Sequence, residues 1–322
     1  MWNLTSSLKL PWRRAGWGHP AGLIVLDSQG GLHGVTVKAP AQHGGKPRVL
    51  HHASIPGEAA ITEANLLQLW HQLGEPRFKA MALLERGEYQ IFVVDKANVK
   101  PAEMQQNFRF TLGPLLDYPA DEANLSWTDV PSQFTTAART PQVYLVAAKR
   151  ELVDQRAATF AQAKWRLSIV DIRETSQANI AERKEVHGSG VCLVFADPDG
   201  IQITITYQGE LYLERFIRES LFDASEPGIE TDARREKFDR VALQLQRSLD
   251  YVRRNYSGLS VDRLYVGPTQ SNIGLLEELN ARMLEPLQAL DLSEVFEWPE
   301  GSDLVKPEVQ ARYFVALGAA LR

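Results

Sequence analysis

The chain has 322 residues, of which 44% are apolar and 23% charged, and its formal net charge is −5. This length suits two lobes or several subdomains better than one small core, and the acidic balance gives no reason to expect nucleic-acid binding. The single cysteine, Cys192, excludes a disulfide framework and a cysteine zinc site. It stands in an apolar strand, so we interpret it as a buried, inert thiol, which fits a reducing compartment.

The first 20 residues mix basic and aromatic side chains: Lys9, Arg13, Arg14, Trp2, Trp12 and Trp17. Such a mixture could touch an anionic membrane surface. Prolines and glycines at positions 11, 16, 18 and 20 break any amphipathic helix, however, so we expect residues 1–20 to form a flexible basic N-terminus. This stretch also lacks the apolar region of a signal peptide, and no apolar run in the chain approaches the ~20 residues of a membrane span.

Strands, one helix and a further hairpin open the chain. We expect strands at 21–26 and 32–38 around the turn Asp27-Ser28-Gln29-Gly30-Gly31, a strand at 48–55, a helix at 58–73, and strands at 78–84 and 89–94. Residues 100–172 then alternate as helix, strand, strand, helix, strand. This change of pattern predicts a small α/β module inserted into a larger lobe. A short helix is expected at 174–183.

A three-stranded meander at 191–218 is the strongest β pattern in the chain. Its first turn is Asp197-Pro198-Asp199-Gly200, where Pro198 pre-sets φ and Gly200 accepts a positive φ. The following strand alternates isoleucine with polar residues, which predicts one buried face and one polar face. Beyond the meander we expect a long helix at 231–256, a strand at 262–267, a helix at 273–284, a short strand at 290–295 and a closing helix at 308–321.

The two acid-rich turns are the only candidates for nucleotide chemistry. Backbone N–H groups in such turns can wrap a phosphate, and Asp197 could hold a metal-bound water. Neither turn carries a lysine, and Asp, Pro and Gly are the residues that hairpin turns prefer, so we favour plain hairpins. The seven histidines show no zinc-site spacing, and the chain contains neither G-x-S-x-G nor a phosphate-loop motif. Ser189 is therefore interpreted as a loop residue, and no nucleophile or metal ligand is assigned.

Several stretches agree with one family in order and spacing. They are 99–103 (VKPAE), 116–123 (LDYPADEA), 143–150, 152–156 (LVDQR), 168–172 (SIVDI), 209–215 and 246–251. Together they resemble the PilM-like, actin-fold cytoplasmic proteins of type IV pilus and type II secretion assembly, from about Gly22 to the C-terminus.

This resemblance implies an α/β fold of the actin-like (ribonuclease H-like) two-lobe ATPase type, with a small α/β subdomain inserted in the first lobe. The first lobe is expected at 21–186, its inserted subdomain at about 97–172, and the second lobe at 187–322. The fold implied by the family thus agrees with the inserted module inferred from the residues.

The resemblance also implies a function. We expect a cytoplasmic, non-enzymatic assembly protein of a type IV (MSHA-like) pilus or related secretion platform, peripheral to the inner membrane. Its partner would be the N-terminal cytoplasmic tail of a single-span inner-membrane protein, held in a groove by the inserted subdomain through main-chain pairing and side-chain pockets. Membrane contact is expected only through this recruitment. No nucleic-acid partner is expected, and self-association stays open.

The turns depart from the family pattern. Members bind ATP with Asp-x-Gly in the first hairpin, Asp-x-Gly followed by Thr in the second, and Gly-Gly near the adenosine. Here Ile201 and Gln202 follow the second turn, and the third turn reads Gly267-Pro268-Thr269. We therefore expect binding of ATP and magnesium to be weak or lost, with no catalytic residue and no metal site. The vestigial nucleotide-site candidates are Asp27, Gly30, Asp197, Gly200 and Gly267. The alternative is an ATP-binding actin-like ATPase that couples nucleotide state to pilus assembly.

Overall fold

The computed structural model describes residues 23–28, 30–40, 45–57, 60–135, 140–222 and 232–322. The strands are β1 (Leu23–Asp27), β2 (Gly31–Lys38), β3 (Arg48–Pro56), β4 (Lys79–Leu83), β5 (Tyr89–Asp95), β6 (Ala123–Asp129), β7 (Gln142–Lys149), β8 (Leu167–Asp171), β9 (Gly190–Asp197), β10 (Gly200–Tyr207), β11 (Glu210–Ile217), β12 (Val261–Val266) and β13 (Leu287–Ala289). The helices are α1 (Glu63–Gln72), α2 (Pro101–Leu112), α3 (Arg150–Gln162), α4 (Arg173–Arg183), α5 (Asp232–Asn255), α6 (Leu275–Asn280) and α7 (Pro307–Ala319). The expected flexible N-terminus, residues 1–20, lies outside the described residues.

Two five-stranded sheets repeat one arrangement. Their strand orders are β3-β2-β1-β4-β8 and β11-β10-β9-β12-β13. In each sheet an antiparallel meander supplies three strands, and the first strand of that meander pairs in parallel with a later strand, which pairs in parallel with a fifth. This doubled arrangement gives the two lobes expected of an actin-like fold, although the sequence shows no repeat at a fixed period.

Two helices cross between the lobes. Helix α4 follows the last strand of the first sheet but packs on β9 and β10 of the second, whereas α7 follows the second sheet and packs on β1 and β2 of the first. The two helices also pack on each other so closely that a Cβ on Gly318 would lie 2.2 Å from the carbonyl oxygen of Ser176. The central core is therefore shared, because Val25 and Met81 of one lobe and Val191 and Leu193 of the other belong to the same buried cluster.

The inserted subdomain has boundaries different from those expected at 97–172. Strand β5 belongs to it, because β5 pairs with β7 in the three-stranded sheet β5-β7-β6. Strand β8 belongs instead to the first lobe, where Ala80 to Leu83 of β4 pair with Leu167 to Asp171. Helix α2 covers the small sheet through Met104, Phe108 and Leu112. The insertion therefore runs from β5 to β7, and α3 leads the chain back into the first lobe.

The meander at β9, β10 and β11 forms as expected, but its polar face is buried as well. Every residue of β10 is buried, including Gln202, Thr204 and Thr206. Helix α4 covers this face, and Gln177 donates from Nε2 to the carbonyl oxygens of Leu193 at 2.7 Å and Gln202 at 3.0 Å. The alternation of apolar and polar residues along β10 could not reveal this burial, because the covering helix comes from the other lobe.

The prediction of a strand at 290–295 is also wrong. The strand lies earlier, at β13, and the segment that follows forms a short 3-10 turn, Leu292–Glu294. The Asp291 side chain accepts a hydrogen bond from the Ser293 N–H at 2.8 Å, so it caps this turn and ends the strand pairing. Among the described residues, no helix is long and apolar enough to cross a membrane.

Candidate functional site

The two acid-rich turns meet between the lobes. Asp27 ends β1 and Asp197 ends β9, and these are the corresponding strands of the two sheets. Both carboxylates are buried, with Asp27 3% and Asp197 7% exposed. Two of the five sequence-predicted site residues are thus brought to the same place by the duplicated fold.

A buried arginine joins these two carboxylates. Arg173 donates from Nη1 to Asp27 Oδ1 at 2.7 Å and from Nη2 to Asp197 Oδ2 at 3.2 Å. Burial by itself lowers the pKa of Arg173, but the charges of Asp27 and Asp197 outweigh this effect and raise it. One guanidinium therefore pairs with a carboxylate from each lobe in a place closed to water.

A second arginine closes the site from the turn between β4 and β5. Arg86 donates from Nη1 to Asp197 Oδ2 at 2.6 Å, and Asp199 Oδ2 lies 3.9 Å from the same nitrogen. Its guanidinium stacks 4.0 Å above the Phe216 ring, a favourable cation–π arrangement. Burial and the neighbouring Asp197 raise the pKa of Asp199.

The N–H groups of the second turn are already used within the turn. Asp197 Oδ1 accepts hydrogen bonds from the backbone N–H of Asp199 at 3.0 Å and of Gly200 at 3.2 Å. Gly200 has φ +155°, and a Cβ there would lie 2.2 Å from the carbonyl oxygen of Ile217. The prediction that Gly200 takes a positive φ is confirmed, and the glycine serves the close approach of β10 to β11.

The other two candidates are Gly30, in the same turn as Asp27, and Gly267. Gly30 has φ +72° and open space around it. Gly267 lines a separate cavity of about 360 Å³ between β12, α6 and α7, where its N–H donates to the Val194 carbonyl oxygen at 2.8 Å. A Cβ on Gly267 would lie 2.9 Å from Phe195, whose ring stacks on Phe314.

This arrangement does not suit a magnesium–nucleotide complex. The carboxylates that would hold the ion are paired with Arg173 and Arg86, and the turn N–H groups that would face a phosphate are bonded to Asp197. In the described part of the chain, no group of three or more His, Cys, Asp or Glu side chains could hold a metal ion. Burial raises the pKa of Cys192 to about 12, which suits an inert thiol.

The sequence analysis did not identify Arg86 or Arg173 as site residues. One signal was present for Arg173, which is the first residue of α4 and directly follows a strand. A cation is disfavoured at a helix N-terminus, where the helix dipole is positive. An arginine in that position therefore indicates nearby carboxylates, although only the fold tells which ones.

A groove of about 910 Å³ lies beside the arginines, between the inserted subdomain and the second lobe. Three consecutive residues of β5 line it, Gln90, Ile91 and Phe92, so this strand presents a backbone edge. That edge has no strand partner in the described residues, because β5 pairs only with β7. The opposite wall is one face of β11 and the residues after it, Glu214, Phe216 and Arg218.

Two carboxylates in this groove lack a cation. Glu174 accepts a hydrogen bond from the Tyr89 hydroxyl at 2.7 Å, and Glu214 accepts one from Gln202 Nε2 at 2.8 Å. In the described chain no ion pair reaches either of them. Burial raises the pKa of Glu174, and burial together with the charge of Glu174 raises that of Glu214 to about 7. The groove therefore holds two buried carboxyl groups without an ion-pair partner, and burial disfavours the charged form of both.

Three solved structures superpose on most of this chain. One chain of the PilM–PilN type IV pilus biogenesis complex superposes with a TM-score of 0.69 at 18% sequence identity, covering 94% of this chain and 98% of that chain. A Bacteroides thetaiotaomicron protein with an actin-like ATPase fold and unknown function gives 0.49 at 10% identity, covering 91% and 95%. The cytoplasmic domain of EpsL, an inner-membrane component of the type II secretion system of Vibrio cholerae, gives 0.47 at 9% identity, covering 91% and 94%.

The actin-like fold is thereby confirmed. At 18% identity the first similarity establishes a common fold and nothing about activity or partners. No protein-family model matches the chain, and no curated protein matches it.

Replacing Arg173 by methionine should destabilise the protein by about 3–5 kcal/mol, because it removes the buried cation that Asp27 and Asp197 share and leaves Asp197 with Arg86 alone. Urea unfolding at neutral pH measures this difference. The control is Arg183→Met on the same helix, where the side chain is exposed and a change within about 0.5 kcal/mol is expected. Equal midpoints for the two variants would show that the bridge does not stabilise the fold.

Replacing Glu214 by glutamine should reduce the pH dependence of stability. The folded-state pKa of Glu214 is about 7 against a usual 4.5, so the folded protein binds more protons than the unfolded chain between these values. Stability should therefore fall as pH rises through this window, by up to about 3 kcal/mol for this group, and Glu214→Gln should remove that part. The measurement is urea unfolding at about pH 5 and about pH 8, with the exposed Glu151→Gln as control. Parallel pH curves for wild type and Glu214→Gln would contradict the assignment.

Proposed function

We propose that this protein is a cytoplasmic, non-enzymatic assembly protein of a type IV (MSHA-like) pilus or related secretion platform, and that it is peripheral to the inner membrane. It binds the N-terminal cytoplasmic tail of a single-span membrane partner. Its actin-like fold serves as a docking scaffold and does not turn over nucleotide.

The observation that carries this proposal is the pairing of Arg173 with Asp27 and Asp197. In the alternative, an ATP-binding ATPase, these carboxylates would need to face a metal ion and the turns would need to face phosphates. Instead the guanidinium supplies the positive charge between the lobes. Releasing it would leave buried charges unpaired, at a cost of several kcal/mol, so binding of ATP and magnesium is weak or absent.

The groove beside the inserted subdomain supports the binding role. An extended peptide can add to the open edge of β5 through main-chain hydrogen bonds, while its side chains meet the face of β11. Glu174 and Glu214 favour a tail that brings a basic side chain to this wall, because neither carboxyl group has an ion-pair partner and a cation there would stabilise the ionised form of both. The solved complex that shares the fold joins PilM and PilN, which supports a partner protein for the present chain.

Titration with ATP and magnesium by calorimetry should give no binding at micromolar concentrations, because both aspartates and the turn N–H groups are occupied. Magnesium alone and ATP alone are the control titrations. A dissociation constant in the micromolar range or below would overturn the non-enzymatic proposal and favour the ATPase.

The tail-binding role predicts that a bulky residue on β5 blocks the groove. Labelled peptides with the N-terminal cytoplasmic sequences of single-span inner-membrane pilus proteins should bind the wild-type chain in fluorescence anisotropy. Gln90→Trp should weaken this binding roughly tenfold or more, since it fills the groove and loses interactions worth more than about 1.4 kcal/mol.

The matched control is Gln105→Trp, which places the same residue on the exposed surface of α2 and should leave binding unchanged. If Gln90→Trp binds as well as wild type, the tail docks elsewhere. If none of the tails binds the wild-type chain, the proposed partner is wrong.

A further inference from the structure

A cavity of about 400 Å³ opens at the edge of the first sheet that lies opposite the arginine bridge. It is bounded by the start of β1 and β4, by helix α1 and by the loop between α3 and β8. Its large apolar side chains are Leu67, Trp70, Phe78 and Trp165. Ligand pockets have volumes of about 300–1,000 Å³ and mainly apolar, aromatic walls. This cavity therefore has the size and the lining of a small-molecule site.

The side chains that line the cavity can donate hydrogen bonds but cannot accept them. Among the described residues they are aliphatic, aromatic, arginine or lysine side chains, and indole, guanidinium and ammonium groups are donors only. Trp70 donates from Nε1 to the Pro76 carbonyl oxygen at 3.2 Å. Trp165 is only 8% exposed, yet its Nε1–H has no hydrogen-bond partner in the described part of the chain, which is unfavourable for a buried donor. A ligand that brings a free acceptor would satisfy it.

Three cations stand at the same cavity. Arg77, Lys164 and Arg166 line it and are exposed to solvent. Their side chains form no hydrogen bond or ion pair with any residue that the structure describes. The only acid in the loops that carry them is Glu75, whose carboxylate lies 3.0 Å from His71 Nδ1. The rim of the cavity is therefore positive.

The backbone conformation of Lys164 is unfavourable for a lysine. Helix α3 ends with the Trp165 N–H bonded to the Phe160 carbonyl oxygen at 2.8 Å and the Lys164 N–H bonded to that of Ala161 at 3.0 Å. This closing motif needs a left-handed residue, which is usually glycine, and Lys164 takes that place with φ +60°. The Cβ of any other residue is strained there. The strained position nevertheless places a cation at the cavity that Trp165 also lines.

We propose that this cavity binds a small organic anion with an apolar body, such as an aromatic or medium-chain aliphatic carboxylate or sulfonate. The body packs against the aromatic walls, and the anionic oxygens accept hydrogen bonds from the Trp165 N–H and from the cations at the rim. Charge-assisted hydrogen bonds of this kind are stronger than those between neutral groups.

Other occupants suit the cavity less well. A peptide or a nucleobase brings N–H donors, for which the lining has no side-chain acceptor among the described residues. A bilayer would favour tryptophans that project from the surface, whereas Trp165 is buried. The chemistry of the walls therefore favours a free ligand whose polar atoms are all acceptors.

This site is distinct from the groove proposed for the partner tail. Arg86 and Arg173 follow the C-terminal ends of β4 and β8, whereas the cavity lies at the N-terminal ends of the same strands. Binding at the cavity requires neither a nucleotide nor a partner tail, so the two sites can be tested independently.

Calorimetric titration of the full chain with naphthalene-2-sulfonate tests the proposal, because this probe has an aromatic body and only acceptor atoms. Wild type should bind it saturably and should bind the cation with the same body, 2-naphthylmethylammonium, much more weakly. R77Q/K164Q/R166Q should weaken binding of the sulfonate at least about tenfold, which corresponds to losing about one charge-assisted hydrogen bond. W165F, which keeps an aromatic ring but removes the N–H, should also weaken it.

Two controls separate the site from general effects of charge and folding. R183Q/R247Q/R263Q removes the same charge from exposed arginines elsewhere and should bind the probe as wild type does. Lys164→Gly places glycine at the left-handed position, so it should unfold at the same urea concentration as wild type or a higher one. It should nevertheless bind the probe more weakly.

The proposal is overturned if wild type does not bind naphthalene-2-sulfonate saturably, or if the two triple variants bind it equally well. Binding by Lys164→Gly as tight as that of wild type would also contradict it. Competition distinguishes the remaining occupants: octanoate should displace the probe at lower concentrations than the peptide acetyl-Phe-Glu-amide or vesicles of phosphatidylglycerol. The reverse order would assign the cavity to a protein or a lipid surface.

Discussion

One guanidinium group holds the two lobes together at their most polar point. Arg173 stands at the start of the helix that leaves the first lobe, and it pairs with the aspartate that ends the corresponding strand of each sheet. Two buried carboxylates so close together would repel each other if no cation lay between them. Arg173 is the first residue of α4, so this pairing also fixes where that helix begins. The charges at this point therefore form a structural bridge between the lobes.

The sequence predicts turns, hairpins and helix faces well here, because each is determined by residues that are close together in the chain. The turn at Asp197 to Gly200, the meander and the apolar face of α5 come from residues near each other in the chain. It also locates Asp27 and Asp197 as a pair, because both lie in acid-rich turns between apolar strands and hold corresponding positions in the fold that the resemblance implies. It does not reveal Arg173 as their partner, because that contact joins residues 146 positions apart. The buried polar face of β10 escapes prediction for the same reason, since α4 arrives from the other lobe.

The two crossing helices make the lobes interdependent. One face of each sheet is covered by a helix that directly follows the other sheet in the sequence: α4 packs on the second sheet and α7 on the first. A shared buried cluster therefore replaces the thin interface that usually separates two domains. Relative motion of the lobes would have to disturb the packing of Gly318 on Ser176 as well as the arginine bridge. The molecule is better suited to present fixed surfaces than to open and close around a ligand.

The parallel strands of the first sheet also set a distance. Strand β4 has five residues, and a strand rises about 3.3 Å per residue, so the groove begins about 17 Å from the opposite edge of the first sheet. A peptide that approaches from that edge must cross this height before it reaches β5. A fully extended chain covers it with about five residues. The length of the juxtamembrane linker, and not only its sequence, would therefore select which tails can reach the groove.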